Sequence, residues 1–93
     1  MEGIAKQKVP GGKLLIIKVS YGDSIESVRI LGDFFVYPES AVQEIEAALK
    51  GIDAKAPEQS IAELVGKVVS RCNAEMIGVT AEAIAQTLRK AIG

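Results

Sequence analysis

From Lys13 to Ser20 the apolar residues alternate between two sides of the chain. Leu15, Ile17 and Val19 fall on one face, and Leu14, Ile16 and Lys18 on the other. A period of two is that of a β-strand, whose successive side chains point to opposite faces. Tyr21-Gly22-Asp23-Ser24 then supplies turn residues, glycine for positive φ and Asp and Ser for local hydrogen bonds to the backbone. The alternation resumes from Ile25 to Leu31, with Val28 and Ile30 set against Ser27 and Arg29. So short a separation predicts an antiparallel hairpin. Gly32-Asp33 interrupts it, and Phe34 to Tyr37 is predicted as a third, short strand. Ahead of the hairpin, Ala5 to Val9 is predicted as an edge strand closed by Pro10-Gly11-Gly12.

From Pro38 onward the spacing becomes helical. Pro38 suits the first turn of a helix, where its missing N–H costs nothing. Val42, Ile45 and Leu49 recur on one face, flanked by Ala41 and Ala48, and Gly51 is the expected residue past the C-terminus. Asp53 to Gln59 reads as a polar connector containing Pro57. Ser60-Ile61-Ala62-Glu63 has the form of a capping box. Behind it, Ile61, Leu64, Val65, Val68, Val69 and Cys72 trace an apolar stripe. Asn73 is expected to stop this helix and Thr80 to cap another, with Ala81, Ile84, Ala85, Leu88 and Ile92 inward. Arg89 and Lys90 near its end suit the negative pole of the helix dipole. Strands gathered before helices predict an α+β fold: a small antiparallel sheet, hairpin plus short strands, covered by about three helices. The strand-rich part spans 5–37 and the helical part 38–93, within a single predicted domain of 93 residues.

Composition narrows the chemistry. Eleven Lys and Arg stand against twelve Asp and Glu, for a net charge of −1, with no histidine and one cysteine. Near-zero net charge argues against a general binder of nucleic acid or anionic membrane, because neutralising phosphates takes a basic surplus. Without imidazole, the usual zinc sites and catalytic triads lose their commonest ligand or proton shuttle. One cysteine cannot close an intrachain disulfide, so a reducing, cytoplasmic setting is the expectation. No run approaches the ~18 apolar residues of a membrane span, and the N-terminus has no signal-peptide pattern. No catalytic centre and no metal site is expected on this chain.

Single residues add little chemistry. Cys72 lies on an apolar stripe and reads as a buried structural cysteine. Pro10-Gly11-Gly12-Lys13 has glycines beside a lysine but neither the spacing nor the following helix of a phosphate loop, so it reads as a tight turn. Glu39, Glu44, Glu46 and Glu63 read as solvated helix surface. The segment Gly32-Asp33-Phe34-Phe35 differs. Phe34, Phe35 and Tyr37 are three of the four aromatics in the chain, placed within four residues. Adjacent residues on an extended segment face opposite ways. Either each phenylalanine is covered by a different layer of the fold, or one of them belongs to a partner-binding surface.

Taken together, Val9-Pro10-Gly11-Gly12-Lys13-Leu14, the hairpin, Ile30-Leu31-Gly32-Asp33-Phe34-Phe35, and the helix from Pro38 to Leu49-Lys50-Gly51 resemble the C-terminal accessory domain of lipoate–protein ligases, over about residues 5–70. The resemblance implies a small α+β fold similar to sulfur-assembly scaffold proteins. It also implies a role beside a catalytic domain of the biotin/lipoate-ligase type, roughly twice this length or more. The arginine-pair and triple-glycine motif and the catalytic lysine of that domain are not in this sequence. With its own Met1, the chain is expected to be the separately encoded accessory subunit of a two-protein ligase. The implied partner is the catalytic subunit, in a heterodimer, and indirectly the lipoyl-acceptor domains. ATP, Mg and lipoate are expected on that catalytic subunit and no cofactor on this chain. The candidate partner-binding residues are Gly11, Gly12, Lys13, Gly32, Asp33, Phe34 and Phe35. Lys13 has two readings, an exposed lysine at a strand start or a group reaching a nucleotide phosphate. The alternatives to this function are a sulfur or iron–sulfur assembly scaffold and a small-molecule-sensing regulatory domain.

Overall fold

The computed structural model describes residues 1–9, 11 and 13–93. The elements run β1 (Glu2–Val9), β2 (Lys13–Tyr21), β3 (Ile25–Gly32), β4 (Phe35–Tyr37), α1 (Ser40–Leu49), α2 (Glu58–Arg71), β5 (Glu75–Ile77) and α3 (Ala81–Ile92). The α+β expectation holds. β1, β2 and β3 form an antiparallel sheet in that order, and β4 pairs with β5 in a separate two-stranded ribbon. The short strand at Phe35 therefore does not join the hairpin sheet.

Alternation decides which face of the main sheet is buried. Leu15, Ile17 and Val19 of β2 point inward with Val28 and Ile30 of β3, as their spacing predicts. Ile25 is also buried, three residues before Val28, because the β2–β3 register shifts at Ser20/Tyr21 and returns Ile25 to the inner face. β1 turns Gly3, Ala5, Gln7 and Val9 inward and Glu2, Ile4, Lys6 and Lys8 outward. The helices cover the inner face: α3 lies on β1 and β2, α1 lies on β3, and α2 packs against both helices. Ile45 and Leu49 of α1, Ile61, Val65 and Val68 of α2, and Ile84 and Leu88 of α3 close the core.

Several expectations about the helices shift. Pro38 lies ahead of α1 rather than in its first turn. Glu39 is the N-cap, and the carbonyl of Pro38 accepts the Ala41 N–H at 3.0 Å. Ala41 is buried and Val42 only half-buried, which rotates the stripe by one position. The capping box at Ser60 does not form, because α2 begins earlier, at Glu58. Pro57 is the N-cap, extended at φ −68° and ψ 154°, and its carbonyl takes the Ile61 N–H at 3.2 Å. Ser60 is thus inside the first turn, and Glu63 instead accepts from Gln59 Nε2 at 3.4 Å. Cys72 is half-buried against the core rather than fully enclosed. Glu46 is not merely solvated, since its carboxylate accepts the Ile30 N–H at 2.7 Å. The stops behave as expected: Gly51 takes φ +93° and Asn73 takes φ +52°. Thr80 caps α3, its Oγ1 accepting the Ala83 N–H at 3.0 Å.

The α3 stripe is deeper than its apolar letters suggest. Ala83, Thr87 and Ala91 are buried, whereas Ala81 and Ile92 are half-buried. A buried hydroxyl needs partners, and Thr87 Oγ1 has two acceptors in reach of its one proton, the Ala83 carbonyl at 2.7 Å and the longer Gln7 Oε1 at 3.2 Å. Gln7 also receives Lys90 Nζ at 3.0 Å and donates from Nε2 to Gln86 Oε1 at 3.0 Å. Nearby, Tyr21 Oη donates to the Ile92 carbonyl at 2.9 Å. A side chain at Gly3 would fall on the Ala91 carbonyl, so only glycine lets β1 and the last turn of α3 approach this closely.

Candidate partner-binding corner

Five of the seven candidate residues, Lys13, Gly32, Asp33, Phe34 and Phe35, converge at one end of the main sheet. The Asp33 N–H donates to the Leu14 carbonyl at 3.0 Å, which ties the turn after β3 to the start of β2. A Cβ at Gly32 would strike that same carbonyl and come within 2.9 Å of the Phe34 ring. Glycine is therefore required for the close passage, and the Phe34 ring folds back over it. Phe34 is half-buried and packs against the core. The next residue has to turn the other way, and Phe35 is 70% exposed. The reading in which each phenylalanine is covered by a different layer does not hold, since Phe35 stands in solvent.

The ribbon explains where Phe35 goes. It pairs directly opposite Ile77, Val36 opposite Met76 and Tyr37 opposite Glu75. Directly opposed residues share a face. Val36 and Met76 thus pack toward the core, while Phe35 and Ile77 form an apolar couple in solvent with Tyr37 beside them. Tyr37 is 76% exposed and Ile77 53%. Three large side chains are thus left open on one face of a very small element.

Lys13 borders this face. A Cβ at Gly78 would meet Lys13 Cγ at 2.7 Å, so the lysine stem lies over Gly78, next to Ile77. Gly78 has φ +85°, a conformation that favours glycine and turns the chain from β5 towards α3. Lys13 and Asp33 are exposed, and the Asp33 carboxylate makes no hydrogen bond to another described residue. The backbone of Asp33, not its side chain, holds the turn. Gly11 lies between β1 and β2 with φ +101°, and a Cβ there would meet no described residue beyond its chain neighbours within 4 Å. Gly12, with Pro10, lies outside the described residues.

Lys13, Gly32, Asp33, Phe34 and Phe35 are thus brought together, and Tyr37, Ile77 and Gly78 join them. Ile77 and Gly78 carry no periodic signal in the sequence. The one available cue is the run Glu75-Met76-Ile77-Gly78-Val79 between a helix stop at Asn73 and a helix cap at Thr80. Among the described residues there is no group of three or more His, Cys, Asp or Glu placed to hold a metal ion. No helix among them is long and apolar enough to cross a membrane.

An α+β domain with one apolar corner is the class that these observations define. No family model matches the chain, and no curated protein matches it. Among solved structures it is similar to a chain from the bi-partite lipoate protein ligase and E2 lipoyl domain of Thermoplasma acidophilum. The TM-score is 0.79 and the identity 24%, over 96% of each chain. The two chains are therefore nearly equal in length, and they share the whole fold rather than a fragment of it.

Proposed function

We propose that this chain is the non-catalytic accessory subunit of a two-protein lipoate–protein ligase. A separate catalytic subunit activates lipoate with ATP and Mg to lipoyl-adenylate and passes the lipoyl group to a lysine of an acceptor domain. This chain binds that subunit in a cytoplasmic heterodimer and carries none of the reacting groups itself. The observation that carries the reading is the exposed Phe35–Ile77 couple with Tyr37, set at the Gly32-Asp33-Phe34-Phe35 turn. The full-length likeness to a chain of a bi-partite ligase system supports it.

The mechanism is conformational. Phe35 and Ile77 enter an apolar recess of the catalytic subunit, and Lys13 and Asp33 pair with charges on its rim. Binding then raises the fraction of catalytic subunit whose adenylate-binding loops are ordered, and the rate rises with that fraction. The test is reconstitution of lipoate, ATP, Mg and catalytic subunit with and without this chain, following lipoyl-adenylate formation. Adenylate should form rapidly only with the chain present. Equal rates in its presence and absence would overturn the reading.

A further inference from the structure

The outer face of the main sheet holds a second feature, unrelated to the apolar corner. There the register sets Lys18 directly opposite Arg29 and Ser20 directly opposite Ser27. Residues two apart on a strand share a face, so these four side chains stand at the corners of a rectangle roughly 5 Å by 7 Å. With Glu2 and Val19 they line a shallow depression of about 180 Å³. Like charges directly opposite one another on a sheet destabilise it. Neither Lys18 nor Arg29 offsets this with an ion pair to another described residue. Ser20 Oγ lies 3.1 Å from Glu26 Oε1, which is the polar contact found here among the described side chains.

We propose that this depression binds a phosphate group. The Arg29 guanidinium presents a planar fork of donors that matches an oxyanion, and the Lys18 ammonium adds a point charge opposite it. Two cations offset a doubly charged phosphate, and the Ser27 hydroxyl donates to one of its remaining oxygens, while the one proton of the Ser20 hydroxyl is held by Glu26 Oε1. The Glu2 and Glu26 carboxylates both repel an anion at the Ser20 end of the depression, which places the phosphate toward the Lys18–Arg29 pair. Binding removes the Lys18–Arg29 repulsion, so an occupied site stabilises the fold. The site is independent of the ligase reading, because neither Phe35 nor any residue of the corner lines it.

The test is titration of the full chain with inorganic phosphate, pyrophosphate and ATP in separate arms, followed by amide NMR shifts. Sodium chloride at matched ionic strength is the control. Saturable shifts should centre on Lys18, Ser20, Ser27 and Arg29, and the tightest arm tells whether the phosphate is free or carried on a nucleotide. The Lys18→Gln/Arg29→Gln double variant should bind at least about tenfold more weakly, the loss expected when charge-assisted hydrogen bonds are removed. Its amide dispersion reports whether it still folds, and Ser27→Ala, which keeps both charges, should weaken binding several-fold. Three results would each overturn the proposal: no saturable shift in any arm, equal shifts with sodium chloride, or unchanged affinity in a folded double variant.

Discussion

The joint between β1 and α3 and the β4–β5 ribbon use the same alternation of side chains to opposite ends. At the joint, the inward positions are met by partners from α3, though Gly3, Ala5 and Gln7 stay half-buried. Gly3 meets the Ala91 carbonyl, Gln7 is bonded to Thr87, Gln86 and Lys90, and Leu88 is fully buried. At the ribbon, Val36 and Met76 face the core while Phe35, Tyr37 and Ile77 stand in water. Both elements are locally regular, so regularity does not separate them. What separates them is the side that remains open, and with it the difference between residues kept for stability and residues available to a partner.

That contrast is sharpest when each region is cut. The largest effect should come from Leu88→Ala, which empties the middle of the joint and should cost about 2–5 kcal/mol in urea unfolding. Gly3→Ala comes next. Its methyl group has to push β1 away from α3, and overpacking of this kind costs about 1–3 kcal/mol in the same measurement. Thr80→Ala removes the cap of α3 without touching the sheet, and a loss of about 1 kcal/mol is expected. The smallest stability change should belong to the ribbon. Phe35→Ser should alter unfolding by no more than about 0.5 kcal/mol. In the same protein, adenylate formation by the catalytic subunit should fall at least about tenfold at limiting concentrations of this chain, as loss of an aromatic anchor predicts. If Phe35→Ser unfolds the protein as badly as Leu88→Ala, the division between the two regions is wrong. A stable Phe35→Ser that stimulates normally would remove the corner from the interface.

Legibility in the sequence follows the same division. β2 alternates along its length, β3 alternates from Ser27 to Leu31 past its register shift, and the helices have a spacing of three and four, so each element announces itself. β5 has only three residues, too few to establish a period, and its partner β4 lies about forty positions earlier in the chain. The adjacent phenylalanines show that the two must face opposite ways. They do not show which one turns to the core, because the choice depends on the Phe34 ring folding over Gly32 and on Phe35 meeting Ile77. The start of α2 misleads for a local reason: Ser60 and Glu63 have the letters of a cap, but Pro57 begins the helix before they can act. Thr87 is invisible as core because its hydroxyl finds its acceptors inside the fold.

One carboxylate noted above has a consequence for how the sheet ends. In the order β1-β2-β3 both outer strands have an open side that another chain could extend. On β3 that side is engaged at Ile25 and Ile30. Glu46 holds the Ile30 N–H, while Ile52 accepts the Ile25 N–H and Gly51 donates to the Ile25 carbonyl. Strand addition is therefore directed to β1, whose outward lysines at positions 6 and 8 repel an incoming copy of themselves. Helix α1 thus serves as a stop on the growth of the sheet as well as a lid on its core.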